Sequence, residues 1–292
     1  MSTMTDRINL SALVGASGLL LAVLVLTGCS TIPQSTAMPV DVRDQGLVLK
    51  QALPAILPKE SKPLASSQLV LVPTESAAGV VVPLPFVSDL VESGYHRYQA
   101  SSFATRYASL DVFGLVRQAL AGSPILKTGA RTFPLLPVAY LVHCDDAVYR
   151  VALSGRIDAG AWTGRYTVHL PTALPDQELA AAAPATIAAL RSELDAAAAI
   201  LRHMLERDAA GTLGAGQYRA DIGSMHLNCG KVAGLLSPSL VLARGAEVLE
   251  DGPDHIIVRI AGDLRQPGPA GGLMYGVHYL RKDQVHTFNR QR

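Results

Sequence analysis

The chain has 292 residues, of which 49% are hydrophobic, and a formal net charge of +1 at pH 7. This composition supplies enough apolar material for one large globular domain or two smaller ones, which excludes a disordered stalk. A near-neutral chain without a basic block lacks the positive face that nucleic-acid binding requires, so we expect no nucleic-acid partner. With only five Phe and one Trp, the core is predicted to be aliphatic.

The first 28 residues have the three parts of a secretory signal. A short polar start that carries Arg7 precedes the uncharged stretch 10–26, and the small residues Thr27 and Gly28 follow it. The alternative is a transmembrane anchor. The seventeen residues of 10–26 fall short of the roughly 20 that a spanning helix needs, so we predict a cleaved signal over residues 1–28.

The run Leu26-Thr27-Gly28-Cys29 resembles the lipobox of bacterial lipoproteins. The resemblance implies that cleavage makes Cys29 the mature N-terminus and that its thiol carries a lipid with fatty acids such as palmitate. Ser30 stands where an aspartate would retain such a protein at the inner membrane, so the resemblance implies the outer membrane, on its periplasmic side. The membrane is then contacted through the N-terminal lipid, and 264 residues remain after cleavage of the 292.

Residues 29–67 are predicted to form the lipid-anchored tether. The segment carries five prolines, and its first ten residues are nearly all small or polar. A flexible chain of about 35 residues has a root-mean-square reach of roughly 30 to 35 Å. Five apolar side chains in the tether are too apolar to be left in water, and we expect this piece to dock on the body or on a partner. They are Leu47, Leu49, Leu53, Ile56 and Leu57.

Residues 68–210 are predicted to form an α+β body. Strands are expected at 68–72 and 79–82, and a helix at 103–120, where apolar residues recur every three or four positions. Period-two alternation at 135–143, 148–157 and 165–170 predicts an antiparallel meander with one buried face. A long alanine-rich helix over 176–207 is expected to pack across this sheet.

Residues 211–292 are predicted to be a β-rich C-terminal portion, in the same domain as the body or separate from it. Glycines at 211, 214 and 216 mark the boundary, and strands are expected at 240–243, 246–249, 256–261, 274–280 and 284–288. Residues 225–236 fit a frayed helix or a strand. The overall fold class is therefore α+β, with a mainly antiparallel sheet.

No catalytic motif stands out in the sequence. The nucleophile elbow, the P-loop, the dinucleotide fingerprint and the His-Glu-x-x-His motif are all missing from the mature chain. His169 and His203 are interpreted as ordinary surface or partly buried residues. The segment Tyr95-His96-Arg97-Tyr98 and the pair Asp145-Asp146 beside His143 are weak candidates, for an anion pocket and for acid/base work. We predict no catalytic residue, no metal and no cofactor.

Because the lipobox commits Cys29 to lipid, Cys144 and Cys229 are left as a pair in an oxidising compartment, and we predict a disulfide between them. It would close a loop of about 85 residues, which the chain-entropy model values at roughly 4 to 5 kcal/mol. Free thiols remain an alternative. So does a zinc site that adds His143 and His226, although adjacent ligands on a strand point to opposite faces and the spacings are unusual.

A second resemblance covers residues 68–207. The order of strands, the helix with Tyr107 and Leu110, two further strands and a long Ala/Leu helix is similar to auxiliary lipoproteins of envelope transport systems, including those serving lipid transporters. It implies a non-catalytic accessory or assembly component with an envelope protein partner. The alternatives are a ligand- or lipid-binding lipoprotein with a cavity between the sheet and the 176–207 helix, and a periplasmic hydrolase without a recognised motif.

Overall fold

The structure, a computed structural model, describes part of the chain. The described residues are 36–58, 61–64, 68–72, 103, 105–129, 131–144, 148–214, 218–227, 243–262, 264 and 273–291. The helices are α1 (Val40–Gln45), α2 (Val112–Ala119), α3 (Asp176–Ala181) and α4 (Pro184–Ala209). The strands are β1 (Leu47–Leu49), β2 (Lys62–Pro63), β3 (Leu69–Val72), β4 (Phe133–Cys144), β5 (Val148–Ala159), β6 (Trp162–Pro175), β7 (Tyr218–Gly223), β8 (Ala243–Asp251), β9 (His255–Ile260), β10 (Gly276–Arg281) and β11 (Thr287–Arg290). None of the helices in these ranges is long and apolar enough to cross a membrane.

The strands form a single 11-stranded mixed sheet. Its order is β11-β7-β8-β9-β10-β6-β5-β4-β3-β2, and β1 pairs with β4. The pairs β1–β4, β3–β4 and β6–β10 are parallel, and the other pairs are antiparallel. This confirms the α+β class with a mainly antiparallel sheet.

Strands β4, β5 and β6 form the predicted antiparallel meander. Leu135 is opposite Ile157 in the first pair, and Ser154 is opposite Thr167 in the second. Both faces of the meander are buried, however, and Ser154 and Thr167 are only 2% and 4% exposed. The alternation identified which residues share a face. It did not indicate that the polar face would be covered as well.

The predicted 176–207 helix consists of two helices. The chain leaves α3 at Ala182, which has a left-handed φ of 48°, and α4 starts at Pro184. Proline has no amide to continue a helix but is well suited to its first turn, so the break occurs there. The α4 helix packs on β5 and β6, α3 contacts the same two strands, and α2 packs against α4 and β4. The expectation of one long helix across the sheet is therefore too simple.

The predicted 103–120 helix is also interrupted. Phe103 and Tyr107 are buried ahead of a turn, and α2 begins only after Asp111, whose side chain accepts a hydrogen bond of 2.8 Å from the amide of Gly114. An aspartate that caps an amide in this way favours a new helix start. Of the apolar residues that define the predicted helix, all but Phe113 lie in the main core, and Phe113 is only partly buried. The prediction of one continuous helix over 103–120 was wrong.

The described residues of 36–64 pack on the body. Leu47 is buried, opposite Phe133 in the β1–β4 pair, which confirms the expectation that this apolar piece docks. Met38 and Val42, on either side of the start of α1, and Leu64 also join the main core. The apolar side chains of this segment are thus used in packing.

Residues 218–291 continue the same sheet. Strands β8, β9, β10 and β11 overlap the predicted strands, whereas β7 lies where no strand was predicted. The parallel pair β6–β10 connects these strands to the meander, with Thr167 opposite His278. A second apolar cluster, which includes Ile222, Val248 and Val258, lies among them.

Candidate functional site

A buried polar band runs along the sheet face opposite α4. The side chains that pack under α4 include Leu153 of β5 and Val168 of β6, so the residues that alternate with them point to the other face. All members of the band are at least nine-tenths buried. The polar band consists of Ser154, Arg156, Thr163, Arg165, Thr167, His169 and His278.

The polar band lies between two apolar clusters. On the β3–β4 side, Val70, Val72, Val138 and Tyr140 pack together. On the β9 side, the band borders the apolar cluster that contains Val258. Polar groups buried in such surroundings cost free energy unless they form hydrogen bonds. The contacts within the band therefore decide whether it is stable.

The arginines give the band a positive charge. Arg156 donates from Nε and Nη2 to the Asp158 carboxylate at 3.0 to 3.1 Å, and from Nη1 to the Leu264 carbonyl at 3.2 Å. Burial lowers the pKa of Arg165 to about 10, with Tyr140 opposing the shift. Arg165 therefore keeps its charge at neutral pH. The two guanidinium groups outnumber the one carboxylate of Asp158 that pairs with Arg156.

Three histidines meet at one end of the band. His169 Nε2 lies 3.1 Å from His278 Nδ1, and the two rings are stacked with centroids 5.3 Å apart. The ring of His226 stands edge-on to His169 at 5.9 Å. Gln284 Nε2 lies 3.4 Å from His226 Nε2 and donates to the Leu170 carbonyl at 2.8 Å. We call His169, His226 and His278 the histidine cluster.

The buried histidines are held in the neutral form. Burial lowers the pKa of His169 well below 6.5, and the neighbouring His278 and His226 lower it further. Burial also lowers the pKa of His278 to about 3, helped by the charge of Arg165. Hydrogen bonds of His278 with the backbone of Met274 and Tyr275 oppose this shift only in part. A proton added to this pair would create a buried charge beside an arginine.

The contacts of the hydroxyls and imidazoles bear on what chemistry the polar band can do. Within the described ranges, no group of three or more His, Cys, Asp or Glu residues is placed to hold a metal ion. The Thr167 hydroxyl donates to Ser154 Oγ at 3.2 Å, and the ring of His169 faces His278. A nucleophilic mechanism needs a hydroxyl or thiol within hydrogen-bond reach of a base. The contacts in the band pair the Thr167 hydroxyl with Ser154, imidazole with imidazole, and the Thr163 hydroxyl with Asp158 at 3.3 Å. The Asp158 carboxylate is already bound by Arg156.

A second buried cluster lies on the α4 side of the sheet, around Asp208. The Tyr166 hydroxyl donates to Asp208 Oδ2 at 2.5 Å, and the Met38 amide donates to the same oxygen at 3.3 Å. Arg259 Nη2 is 3.7 Å from Oδ1, and Arg259 Nη1 donates to Glu247 at 2.9 Å. Burial and the Asp208 carboxylate raise the pKa of Tyr166 well above 10. This cluster joins the N-terminal segment, β6, the end of α4 and β9.

A small cavity lies between α4 and the sheet. Its volume is about 190 Å³, and Val168, Ala197, Ile200 and Tyr279 contribute to its apolar wall. Glu193 is at its polar end and binds Thr172 through the hydroxyl. The volume is below the roughly 300 to 1,000 Å³ of most small-molecule sites. The cavity suits a small apolar group.

The structure describes only some of the residues predicted as sites. Cys29, Cys229, 95–98 and 145–146 are outside the described residues. Cys144 is buried at the end of β4, where its Sγ is 3.5 Å from the Val142 carbonyl, and its pairing with Cys229 stays a prediction.

The two single histidines named from the sequence, and His143 of the zinc alternative, have different surroundings. His226, the other histidine of that alternative, belongs to the histidine cluster. His143 Nε2 is 3.0 Å from Asp176 Oδ1, at the start of α3. His203 is exposed on α4, whereas His169 is buried. The interpretation of His169 as an ordinary surface or partly buried residue was therefore wrong, because the polar face of the meander is covered.

No family model, curated protein or solved structure matches the chain. The site is therefore interpreted from its own geometry. Sequence reasoning missed the histidine cluster because its members are far apart in the chain. His169 and His278 are separated by 109 residues. The only local signal was that His169 occupies the polar face of an alternating strand. Nothing in the sequence around His278 indicated that β10 would pair with β6.

Proposed function

We propose that the protein is an outer-membrane lipoprotein that faces the periplasm and serves as a non-catalytic accessory or assembly component of an envelope complex for transport or secretion. A lipid on Cys29 would hold it to the membrane. The observation that carries the proposal is the docking of the N-terminal segment. The Met38 amide binds Asp208, and β1 extends the sheet beside β4.

This docking limits how far the body can stand from a lipid on Cys29. The chain from Cys29 to Met38 is nine residues long. Fully extended, such a chain spans at most about 30 Å. Since Met38 is tied to the end of α4 and to the sheet, the body would stay close to the membrane surface. An assembly component must present a fixed surface at a fixed height, and this arrangement supports that role.

The contacts of the polar groups support a non-catalytic role. Arg156 of the polar band is paired with the Asp158 carboxylate. The Asp208 carboxylate is likewise occupied by donors from three parts of the chain. Groups committed in this way hold the fold together.

Affinity purification from detergent-solubilised envelope tests the proposal. The full chain is tagged at its C-terminus and expressed at its native level, beside a Cys29→Ala variant. We expect a reproducible envelope protein partner with the wild type and at least a tenfold lower yield of that partner with Cys29→Ala. Recovery of the wild-type protein alone in all replicates would contradict an accessory role.

The cavity under α4 favours a second candidate, a ligand- or lipid-binding lipoprotein. It lies where such a site was expected, between the sheet and the long helix, and its walls are largely apolar. Native mass spectrometry of gently extracted protein tests this. An adduct in the wild type should be lost in Ala196→Trp, which fills the cavity, and kept in Ala199→Trp, on the exposed side of α4. No adduct under several growth conditions would contradict this function.

A further inference from the structure

The pairing of β6 with β10 joins two parts of the sheet, and we call this pairing the seam. The seam is parallel and short, with Tyr166, Thr167 and Val168 opposite Val277, His278 and Tyr279. Strands β2–β5 lie on one side of it and β7–β9 and β11 on the other. Ion pairs of α4 with β8 and β9, Arg207–Glu250 and Asp208–Arg259, also connect the two parts.

The histidine cluster spans this seam. His169 belongs to β6 and His278 to β10, and they are 6% and 0% exposed. Their 3.1 Å contact allows one proton between the two nitrogens. If both rings were protonated, two donors would face each other without an acceptor, and each would be a buried positive charge.

Within the described residues, hydrogen bonds with the backbone of Met274 and Tyr275 offset part of such a charge on His278, but burial and Arg165 outweigh them. Arg165, on β6, faces His278, and Arg156 and Asp158 of β5 are bound to each other. From the turn after β10, Gln284 approaches His226, and the exposed Asp283 interacts with His226 while it is held by Arg281.

Among the described residues, a tyrosine and a further arginine also lie on this face. Tyr140 of β4 and Arg150 of β5 lie on the same face of the meander, and His226 itself comes from the turn after β7. The charged partner that faces the pair most directly is thus a cation. Protonation would add charge of the same sign.

We propose that the histidine cluster is an acid-sensitive latch, closed while its rings are neutral and opened by protonation, so that β10 separates from β6 in mildly acidic medium. The direction of this pH dependence follows from the linkage between proton binding and opening. The rings bind protons more weakly in the closed state than in the open state, so the closed state is favoured above about pH 6.5 and loses its advantage as the pH falls below that value.

The two proton-binding rings determine how far the equilibrium between the closed and open forms shifts with pH. With an open-state pKa near 6.5, each ring shifts the equilibrium toward the open form by about tenfold for each pH unit below that value. Between pH 7.5 and pH 5, two rings together give a shift on the order of 1,000-fold. Apolar contacts of Ile257 and Val277 with the main core oppose opening. Opening is therefore expected to be partial and local.

Hydrogen exchange read by mass spectrometry tests the latch on the full mature chain. Protection factors, corrected for the intrinsic pH dependence of exchange, are compared at pH 7.5 and pH 5 for β10 and for α4. We expect β10 to lose at least 100-fold protection at pH 5 while α4 loses less than tenfold. His203→Gln, at an exposed histidine of α4, is the matched control and should behave as the wild type.

The double variant His169→Gln/His278→Gln should reduce the pH-dependent loss in β10 to less than tenfold. Should it fail to fold, the single variant His278→Gln and an NMR titration of the wild-type imidazoles give the same test. Equal protection of β10 at both pH values would overturn the proposal. So would an equal loss in α4, which signals global unfolding, or ordinary titration of His169 and His278 near pH 6.5 in the closed protein.

Discussion

The Tyr166 hydroxyl donates a hydrogen bond to the Asp208 carboxylate across the interface between the sheet and α4. Tyr166 is in the middle of β6, and Asp208 is in the last turn of the helix. Because Asp208 also accepts the Met38 amide, one buried carboxylate fixes the helix, the sheet and the N-terminal segment in one arrangement.

Removal of the Asp208 carboxylate should destabilise the fold strongly. Asp208→Ala leaves the Tyr166 hydroxyl without its acceptor and removes one of the two carboxylates beside the buried Arg259, and we expect a loss of about 3 kcal/mol in the free energy of unfolding. Tyr166→Phe removes one bond to a charged group and should cost about 1.5 to 3 kcal/mol. Urea unfolding measures both. Asp195→Ala, on the exposed face of α4, should stay within about 0.5 kcal/mol of the wild type.

A substitution in the turn between α3 and α4 should stabilise the fold. Ala182 has a φ of 48°, a conformation that costs a residue with a Cβ atom more than it costs glycine. Ala182→Gly should therefore raise the free energy of unfolding by about 0.5 to 1 kcal/mol. Ala189→Gly, at an exposed site inside α4, should lower it by about 1 kcal/mol. A thermal melt in which both variants lose stability would contradict this account of the helix break.

Local patterns predicted the class of fold, but the site depends on distant contacts. The alternation in β5 and β6 placed Ser154 and His169 on one face, because side-chain direction along a strand is a local property. Whether that face is buried depends on what packs on it, and this is set elsewhere in the chain. Strand β7 was missed although Tyr218, Ala220 and Ile222 alternate with Arg219 and Asp221, because the run is short and directly follows the glycine-rich stretch that predicts a loop. The Asp208 cluster was missed for the same reason as the histidine cluster, since its members meet only in the fold.

Asp251 should stabilise the C-terminal strands in a pH-dependent way. Hydrogen bonds from Tyr218 and Lys282 lower the pKa of Asp251 from 3.8 to about 2, and Arg290 adds a further bond. A lowered folded-state pKa gives stability that is fully present above about pH 4 and is lost as the pH falls toward 2. Asp251→Asn should therefore cost about 2 kcal/mol at pH 7.

The same variant tests whether the charge of Asp251 is the cause of this stability. Below pH 4, the wild type should lose this part of its stability, and its difference from Asp251→Asn should shrink toward zero near pH 2. Urea unfolding at pH 7, 4 and 3 follows the difference. A constant gap across these pH values would show that the carboxylate contributes by its shape and not by its charge.

The predicted disulfide between Cys144 and Cys229 can be checked directly. In protein purified from the periplasmic side, alkylation under denaturing conditions should leave both thiols unmodified until a reductant is added. Cys229→Ala should then lower the free energy of unfolding by up to about 4 to 5 kcal/mol, with native-state strain reducing that figure. Alkylation of both thiols without reductant would rule the bridge out.

The central claim is that Cys29 carries the lipid and that the docked N-terminal segment holds the body at the outer membrane. Intact-mass analysis of the mature protein from separated inner and outer membranes tests it most directly. We predict a chain that begins at Cys29, carries the mass of a diacylglycerol and an added acyl group, and is found in the outer-membrane fraction, whereas Cys29→Ala loses all three properties. An unlipidated chain that retains residues 1–28, or a Cys29→Ala variant that fractionates as the wild type does, would contradict the claim.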